Sequence, residues 1–333
     1  MRVVAAPDKF RGTATAPEVA DAIGRAANDA GWSCDRVPLA DGGEGLLDAF
    51  GGPNRTSLVA GPLGEPVEAA WRLHRGRAVI ESALASGLLL VGGAEGNDPI
   101  AASSYGTGEL ITHAVEAGAK RVVVGVGGSA MTDGGLGALR AMYPTQRLRG
   151  VEIAVACDVR CSFVDAAEVF APQKGASKAQ VELLKRRLER LAQVYLEEHG
   201  VDVRGLTSAG AAGGLAGGLA VAGASLCSGF DLVSEEVGFE DVLEGADLVV
   251  TGEGFVDAQS YDGKVVGGVT ALARELGVPV LVVAGQVFDD DDRERDDDSL
   301  VVSLTERFGA ERSLHETTAC VEEVVADHLR GLT

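Results

Sequence analysis

Positive charge is what this 333-residue sequence most conspicuously lacks. It has 29 Lys+Arg against 50 Asp+Glu, a formal net charge of −21. That excludes a general binder of nucleic acid or anionic membrane, since both need clustered cations. Long apolar runs are missing too. The least polar stretch, 208–230, is rich in glycine and too poor in large side chains to make a membrane helix. The first apolar run, Val3-Val4-Ala5-Ala6, stops at Pro7-Asp8 and is too short for a signal-peptide core, so the expected location is cytoplasmic. Cysteine is scarce, with five dispersed residues. An odd, scattered set excludes a disulfide framework, and Cys157 and Cys161 have no second ligand pair at zinc spacing. Lysine is the rarer cation, six residues against 23 arginines.

Glycine is abundant, at 46 residues. No every-third-residue period accompanies it, which excludes collagen. The 46% hydrophobic content excludes a disordered chain. The length accommodates two domains, each with its own core.

The pattern along the chain is α/β. Val3–Ala6 is a strand. Thr15-Ala16-Pro17-Glu18 is a capping box with an early proline, opening a helix that stops near Gly31. A second strand spans 33–39 and leads into Asp41-Gly42-Gly43-Glu44-Gly45, where another helix is expected. Residues 55–82 change character: three short strands joined by Gly-Pro turns predict an antiparallel excursion and a domain change near residue 55. Helix and parallel strand return with 107–116, 121–126 and 151–157. Ser177-Lys178-Ala179-Gln180 is a second capping box, for a long helix ending at Gly200, whose Lys185-Arg186-Arg187 run reads as its solvated side. A strand at 247–251 runs into a glycine loop, and a helix at 265–276 is followed by a strand at 280–283. The acidic run 289–298 reads as a solvated loop, and a helix closes the chain.

The glycines gather behind predicted strands, as Gly42-Gly43-Glu44-Gly45, Gly127-Gly128-Ser129 and Gly252-Glu253-Gly254. Ligands of open α/β sheets bind at strand carboxyl ends, where glycine lets backbone N–H groups approach a phosphate. No Walker A motif is present, because Gly263-Lys264 is followed by valine. Gly125-x-Gly127-x-x-Ala130 matches a dinucleotide pattern, but Asp133-Gly134-Gly135 interrupts the helix that should follow. Acids stand beside these glycines: Asp41, Glu44, Asp133, Asp158, Glu253 and Asp257. Next to a phosphate they would hold Mg²⁺ or act as a base toward a hydroxyl, both of which are tasks of phosphoryl transfer. Three of the six lysines, Lys9, Lys174 and Lys264, fall in loops, where a compact ammonium pairs well with phosphate or carboxylate.

Eight segments in order resemble the bacterial glycerate kinase family of the glycerate 2-kinase type. They are Ala6-Pro7-Asp8-Lys9-Phe10-Arg11-Gly12, Pro38–Gly45, Tyr105–Leu110, Gly127–Gly135, Ala156–Val159, Phe170–Ala176, Gly210–Leu215 and Thr251-Gly252-Glu253-Gly254. The resemblance implies ATP-dependent phosphorylation of D-glycerate to 2-phosphoglycerate, with ATP and Mg²⁺ and without nucleic-acid or membrane partners; it admits a homodimer. It also implies two α/β domains. One, Rossmann-like with a parallel sheet built from both chain ends, would span 1–57 and 240–333. The other, inserted over 58–239, would carry a mixed sheet, with the active site in the cleft between them.

On that resemblance Asp8, Lys9, Arg11, Gly42, Gly43 and Glu44 bind substrate, and Gly127, Gly128, Ser129, Gly252, Glu253 and Gly254 bind nucleotide. Asp41, Asp133, Asp257, Lys174 and Lys264 are the catalytic candidates, and Asp133 and Asp158 the metal ligands. Whether Asp133 or Asp257 is the base stays open. Phe255 stands where the family has arginine, and Met131-Thr132 where it has Thr-Asn. Those changes leave two alternatives: a kinase of another small hydroxy acid, or a catalytically weak ATP- or glycerate-binding relative.

Overall fold

Valines at alternate and adjacent positions favour buried parallel strands, and the chain begins with one. The computed structural model describes residues 1–10, 12–261, 264–288 and 299–332. Its strands are β1 (Arg2–Ala5), β2 (Ser33–Arg36), β3 (Arg55–Ala60), β4 (Pro66–His74), β5 (Arg77–Glu81), β6 (Arg121–Gly125), β7 (Glu152–Cys157), β8 (Ser225–Ser228), β9 (Leu248–Val256), β10 (Val280–Val287) and β11 (Leu300–Ser303). The acidic run 289–298 and Arg11 lie outside the described residues.

Two units divide the chain. The first comprises Met1–Asp41, Asp48–Phe50 and Phe230–Thr333; the second comprises Gly42–Leu47 and Gly51–Gly229. Residues 51–57 therefore lie in the second unit, because β3 pairs antiparallel with β4, Arg55 opposite Trp71. Residues 230–239 lie in the first, where the Phe230 ring meets Phe239 edge to face, 6.5 Å between centroids.

The first unit holds a five-stranded sheet in the order β11-β10-β9-β1-β2, parallel throughout. Both chain ends supply it. Thr15 opens the helix Ala16–Asp29: its hydroxyl accepts from the Glu18 N–H, and the Glu18 carboxylate accepts from the Thr15 N–H. The buried face of that helix, Val19, Ile23, Ala26 and Ala27, joins one core with Val321, Val324 and Val325 of the helix Thr317–Leu332. Each large aliphatic side chain so buried contributes about 1.5–3 kcal/mol.

The second unit holds a six-stranded mixed sheet, β3-β4-β5-β6-β7-β8, antiparallel up to β5 and parallel beyond it. The helix Lys178–His199 starts at the Ser177–Gln180 capping box and ends at Gly200, whose φ of +73° suits the left-handed cap.

One expectation is corrected, and one is met by a shorter element. The glycines after residue 251 do not form a loop: β9 continues to Val256 because β10 continues to Val287, with Gly252 opposite Val283 and Val256 opposite Val287. A Cβ on Gly252 would stand 1.9 Å from the Val283 carbonyl oxygen, so strand approach demands glycine there. The helix expected after Asp41–Gly45 is a single turn, Leu46–Ala49.

Candidate active site

In the first unit, the connection from β1 to β2 runs one way across the sheet and that from β9 to β10 runs the other. The carboxyl ends of β1 and β9 are therefore a topological switch point, where open α/β sheets bind ligands. Asp8 follows β1 and is 5% exposed. Its N–H donates to the Gly252 carbonyl at 2.9 Å. Its Oδ1 accepts the Lys9 N–H at 2.7 Å and lies 3.6 Å from Lys9 Nζ. Burial pushes the Asp8 carboxyl up to about 7; Lys9 opposes this, while Asp41 and Glu253 add to it. Burial likewise raises Glu253, against the pull of Ser260 and Lys264 and with the push of Asp41 and Asp257. The Oε1 of Glu253 is buried with no hydrogen-bond partner in the protein. Asp8, Lys9, Asp41, Glu253, Asp257 and Lys264 thus form one electrostatic cluster. Asp257 is exposed, and its Oδ1 accepts the Ser260 N–H at 3.1 Å, closing a short turn.

In the second unit, the loop after β6 carries Gly127, Gly128 and Ser129. The Gly128 carbonyl accepts from the Leu88 N–H and the Ala130 N–H donates to the Ser86 carbonyl, both at 2.9 Å. Among the described residues, the N–H groups of Gly127, Gly128 and Ser129 meet no protein acceptor. Gly128 has φ +67°. Successive free N–H groups at a left-handed residue form an anion-binding concavity. Lys174 supports this loop from beneath. It is 3% exposed, and its Nζ donates to Ser129 Oγ at 2.9 Å and to the Met131 carbonyl at 2.6 Å. Burial pulls its ammonium down to about 7, while Asp133 pulls it up.

Asp133, expected as base or metal ligand, is engaged by two neighbouring segments of the chain. Its carboxylate accepts the Ser104 N–H and hydroxyl, each at 2.8 Å, the Gly135 N–H at 3.1 Å and the Gly137 N–H at 3.2 Å. It ties the start of the helix Tyr105–Glu116 to the start of the helix Leu136–Ala141. Most of these bonds fall on Oδ2, and of them Oδ1 accepts only the Gly135 N–H. Asp158, at the end of β7, is exposed. No three His, Cys, Asp or Glu side chains among the described residues converge to hold a metal.

The turn Gly42–Gly45 packs on the ends of β6 and β7. A Cβ on Gly42 would meet the Ala156 carbonyl oxygen at 2.7 Å, and one on Gly127 would meet Gly43 Cα at 2.7 Å. Glu44 is exposed. Close backbone approach accounts for these glycines. Sequence reasoning missed Glu81, whose Oε1 accepts the N–H groups of Gly45 at 3.1 Å and Leu47 at 2.8 Å and so fixes the turn. It also missed Asn97, whose amide donates to the Ala130 and Lys174 carbonyls at 3.0 and 2.9 Å. An acid at the carboxyl end of β5 was the one available signal for Glu81; nothing local marks Asn97.

No helix among the described residues is long and apolar enough to cross a membrane. The model of the glycerate kinase family matches residues 3–143 and 143–332. The chain is 38% identical to glycerate 2-kinase of Escherichia coli strain K12, over 87% of this chain and 86% of that protein. It is 38% identical to glycerate kinase of Bacillus subtilis strain 168, over 86% and 85%. The crystal structure of a protein assigned as glycerate kinase 2 from Salmonella typhimurium LT2 superposes with a TM-score of 0.84 at 33% identity, covering 100% of this chain and 98% of that one. This chain belongs to the glycerate kinase family.

Proposed function

We propose that this protein transfers the γ-phosphoryl group of ATP to the 2-hydroxyl of D-glycerate, in the cytoplasm. The observation that carries this reading is Asp8: a buried carboxyl, titrating at about 7, beside Lys9 at a sheet switch point. A carboxylate poised near neutrality is suited to take the proton of an attacking hydroxyl. Lys9 and Arg11 would meet the substrate carboxylate. Asp41 would act through Asp8, by keeping its proton affinity high. The free N–H groups of Gly127, Gly128 and Ser129 would bind phosphate oxygens, with Lys174 holding Ser129 in place. Lys264 would face the charge that develops on the transferred group.

The residues also fit a metal–nucleotide complex. Mg²⁺ is usually held by one or two carboxylates together with substrate phosphates, so no cage of three is needed. The unpartnered Oε1 of Glu253 in the first unit and, as a separate alternative, the exposed carboxylate of Asp158 in the second are the candidates to hold it. Bound there, Mg²⁺ would neutralise charge on the phosphate oxygens. Asp133 is reassigned to positioning, since its oxygens serve two helix starts. ADP release, followed with purified protein, ATP-Mg²⁺ and a panel of small hydroxy acids, tests the reading: D-glycerate should give the highest kcat/KM, and no release with any hydroxy acid would reject it.

One observation favours a second acceptor. Phe255 occupies the place of the family arginine, is half-exposed, and stacks on Phe288 with centroids 5.9 Å apart. That pair offers an apolar face where a guanidinium would offer a carboxylate clamp. A hydroxy acid with a larger apolar substituent would suit it better, and the same panel decides between them.

A further inference from the structure

The helix Lys178–His199 buries Leu184, Leu188, Ala192 and Tyr195 and leaves Arg186, Arg187 and Arg190 exposed. These arginines do more than coat a solvated side. They rim a cavity of about 460 Å³ within the second unit, walled by Leu191 and Val194 and lined also by Thr132 and Asp133. Thr132 is 3% exposed, and its hydroxyl is buried with no hydrogen-bond partner in the protein. Such a group destabilises the fold when left unpaired, and native proteins rarely leave one without a reason.

The lining describes its occupant. In a chain of net charge −21, three cations against one carboxylate, that of Asp133, which is already engaged by the N–H groups of Ser104, Gly135 and Gly137, select an anion. The apolar wall selects a body that prefers to leave water. Guanidinium planes stack on flat aromatic faces, and Arg187 is already oriented by donating to the Ile100 carbonyl at 3.1 Å. A purine nucleotide has all three properties. Its phosphates also have a destination, because three residue steps, about 10 Å at most, separate Thr132 from Ser129 and its free N–H groups. That is shorter than a nucleoside triphosphate.

We propose that this cavity is the purine subsite of the nucleotide, with the Thr132 hydroxyl at the base edge and the arginines over the ring. The inference rests on the ATP-dependent reading above. Two variants test it by calorimetric titration with ATP and, separately, with inorganic tripolyphosphate. Thr132→Val keeps the shape and removes a hydroxyl that bonds nothing in the protein, so a residue used for packing alone would keep its nucleotide affinity. Here Tm should hold or rise while the Kd for ATP rises about tenfold. Val194→Trp fills the cavity and should raise the Kd for ATP by tenfold or more, with tripolyphosphate affinity within twofold of wild type. Should Val194→Trp fail to fold, Thr132→Val decides alone. Unchanged ATP affinity in folded variants overturns the subsite, as does an equal loss for ATP and tripolyphosphate. A wild-type protein that neither binds nor turns over ATP would instead remove the ATP-dependent reading, and the subsite with it.

Discussion

The ammonium of Lys174 lies 2.9 Å from the hydroxyl of Ser129, a residue 45 positions earlier, and 2.6 Å from the Met131 carbonyl. One buried lysine therefore fixes the loop whose free N–H groups are the candidate phosphate cradle. Lys174→Met keeps most of the stem's packing and removes both bonds. We expect the KM for ATP to rise about tenfold while that for D-glycerate stays within twofold, as steady-state kinetics with each substrate varied would show. The sign of the pH effect follows from the lowered proton affinity. Between about 7 and 10.5 the folded state binds fewer protons than the unfolded one, so wild-type stability rises with pH across that window. The variant should lack that rise in Tm.

Asp8 has the opposite linkage. Its carboxyl titrates at about 7 in the fold against 3.8 ordinarily, so between those values the folded state binds more protons. Wild-type stability should fall as pH rises from 4 to 7, by up to roughly 4 kcal/mol. Asp8→Asn should abolish that limb in thermal melts. The same variant should lower kcat by about 10²–10⁴-fold and remove the rise of kcat with pH through neutrality.

Asp133 was a natural choice for base or metal ligand on its neighbours alone, and its geometry argues for a clamp. Asp133→Ala leaves the N–H groups of Ser104, Gly135 and Gly137 without their acceptor. A loss of about 2 kcal/mol in stability is expected, measured by urea unfolding. Asp133→Asn should recover part of it and keep kcat within about tenfold of wild type, far above Asp8→Asn.

Phe255→Arg restores the family residue at an exposed position. If Phe255 sets acceptor choice, kcat/KM should shift toward D-glycerate relative to bulkier hydroxy acids by about tenfold. Unchanged ratios across the panel would show that the aromatic pair with Phe288 does not touch the acceptor.

The sequence was most informative where local chemistry decides structure. Thr15-x-x-Glu18 and Ser177-x-x-Gln180 announce their helices because a capping box is complete within four residues. Gly277 and Gly200 end theirs for the same local reason. The glycines beyond residue 251 misled because strand or loop there depends on β10, a partner some 30 residues away, and the spacing needed by the Val283 carbonyl is not written beside Gly252. Lys174 and Asp133 stand out in the sequence as charged residues in loops, but their partners are Ser129 and Ser104, which only the fold brings near. The Lys185-Arg186-Arg187 run has the composition of a solvated face, and the cavity beneath it exists only once Thr132 packs against the helix.

The product of one reaction tests the proposed function most directly. Purified protein with ATP-Mg²⁺ and D-glycerate, followed by phosphorus NMR, should show ADP and 2-phosphoglycerate accumulating in equal amounts. A folded protein that yields no phosphorylated glycerate would contradict the account, and 3-phosphoglycerate as the product would contradict its regiochemistry.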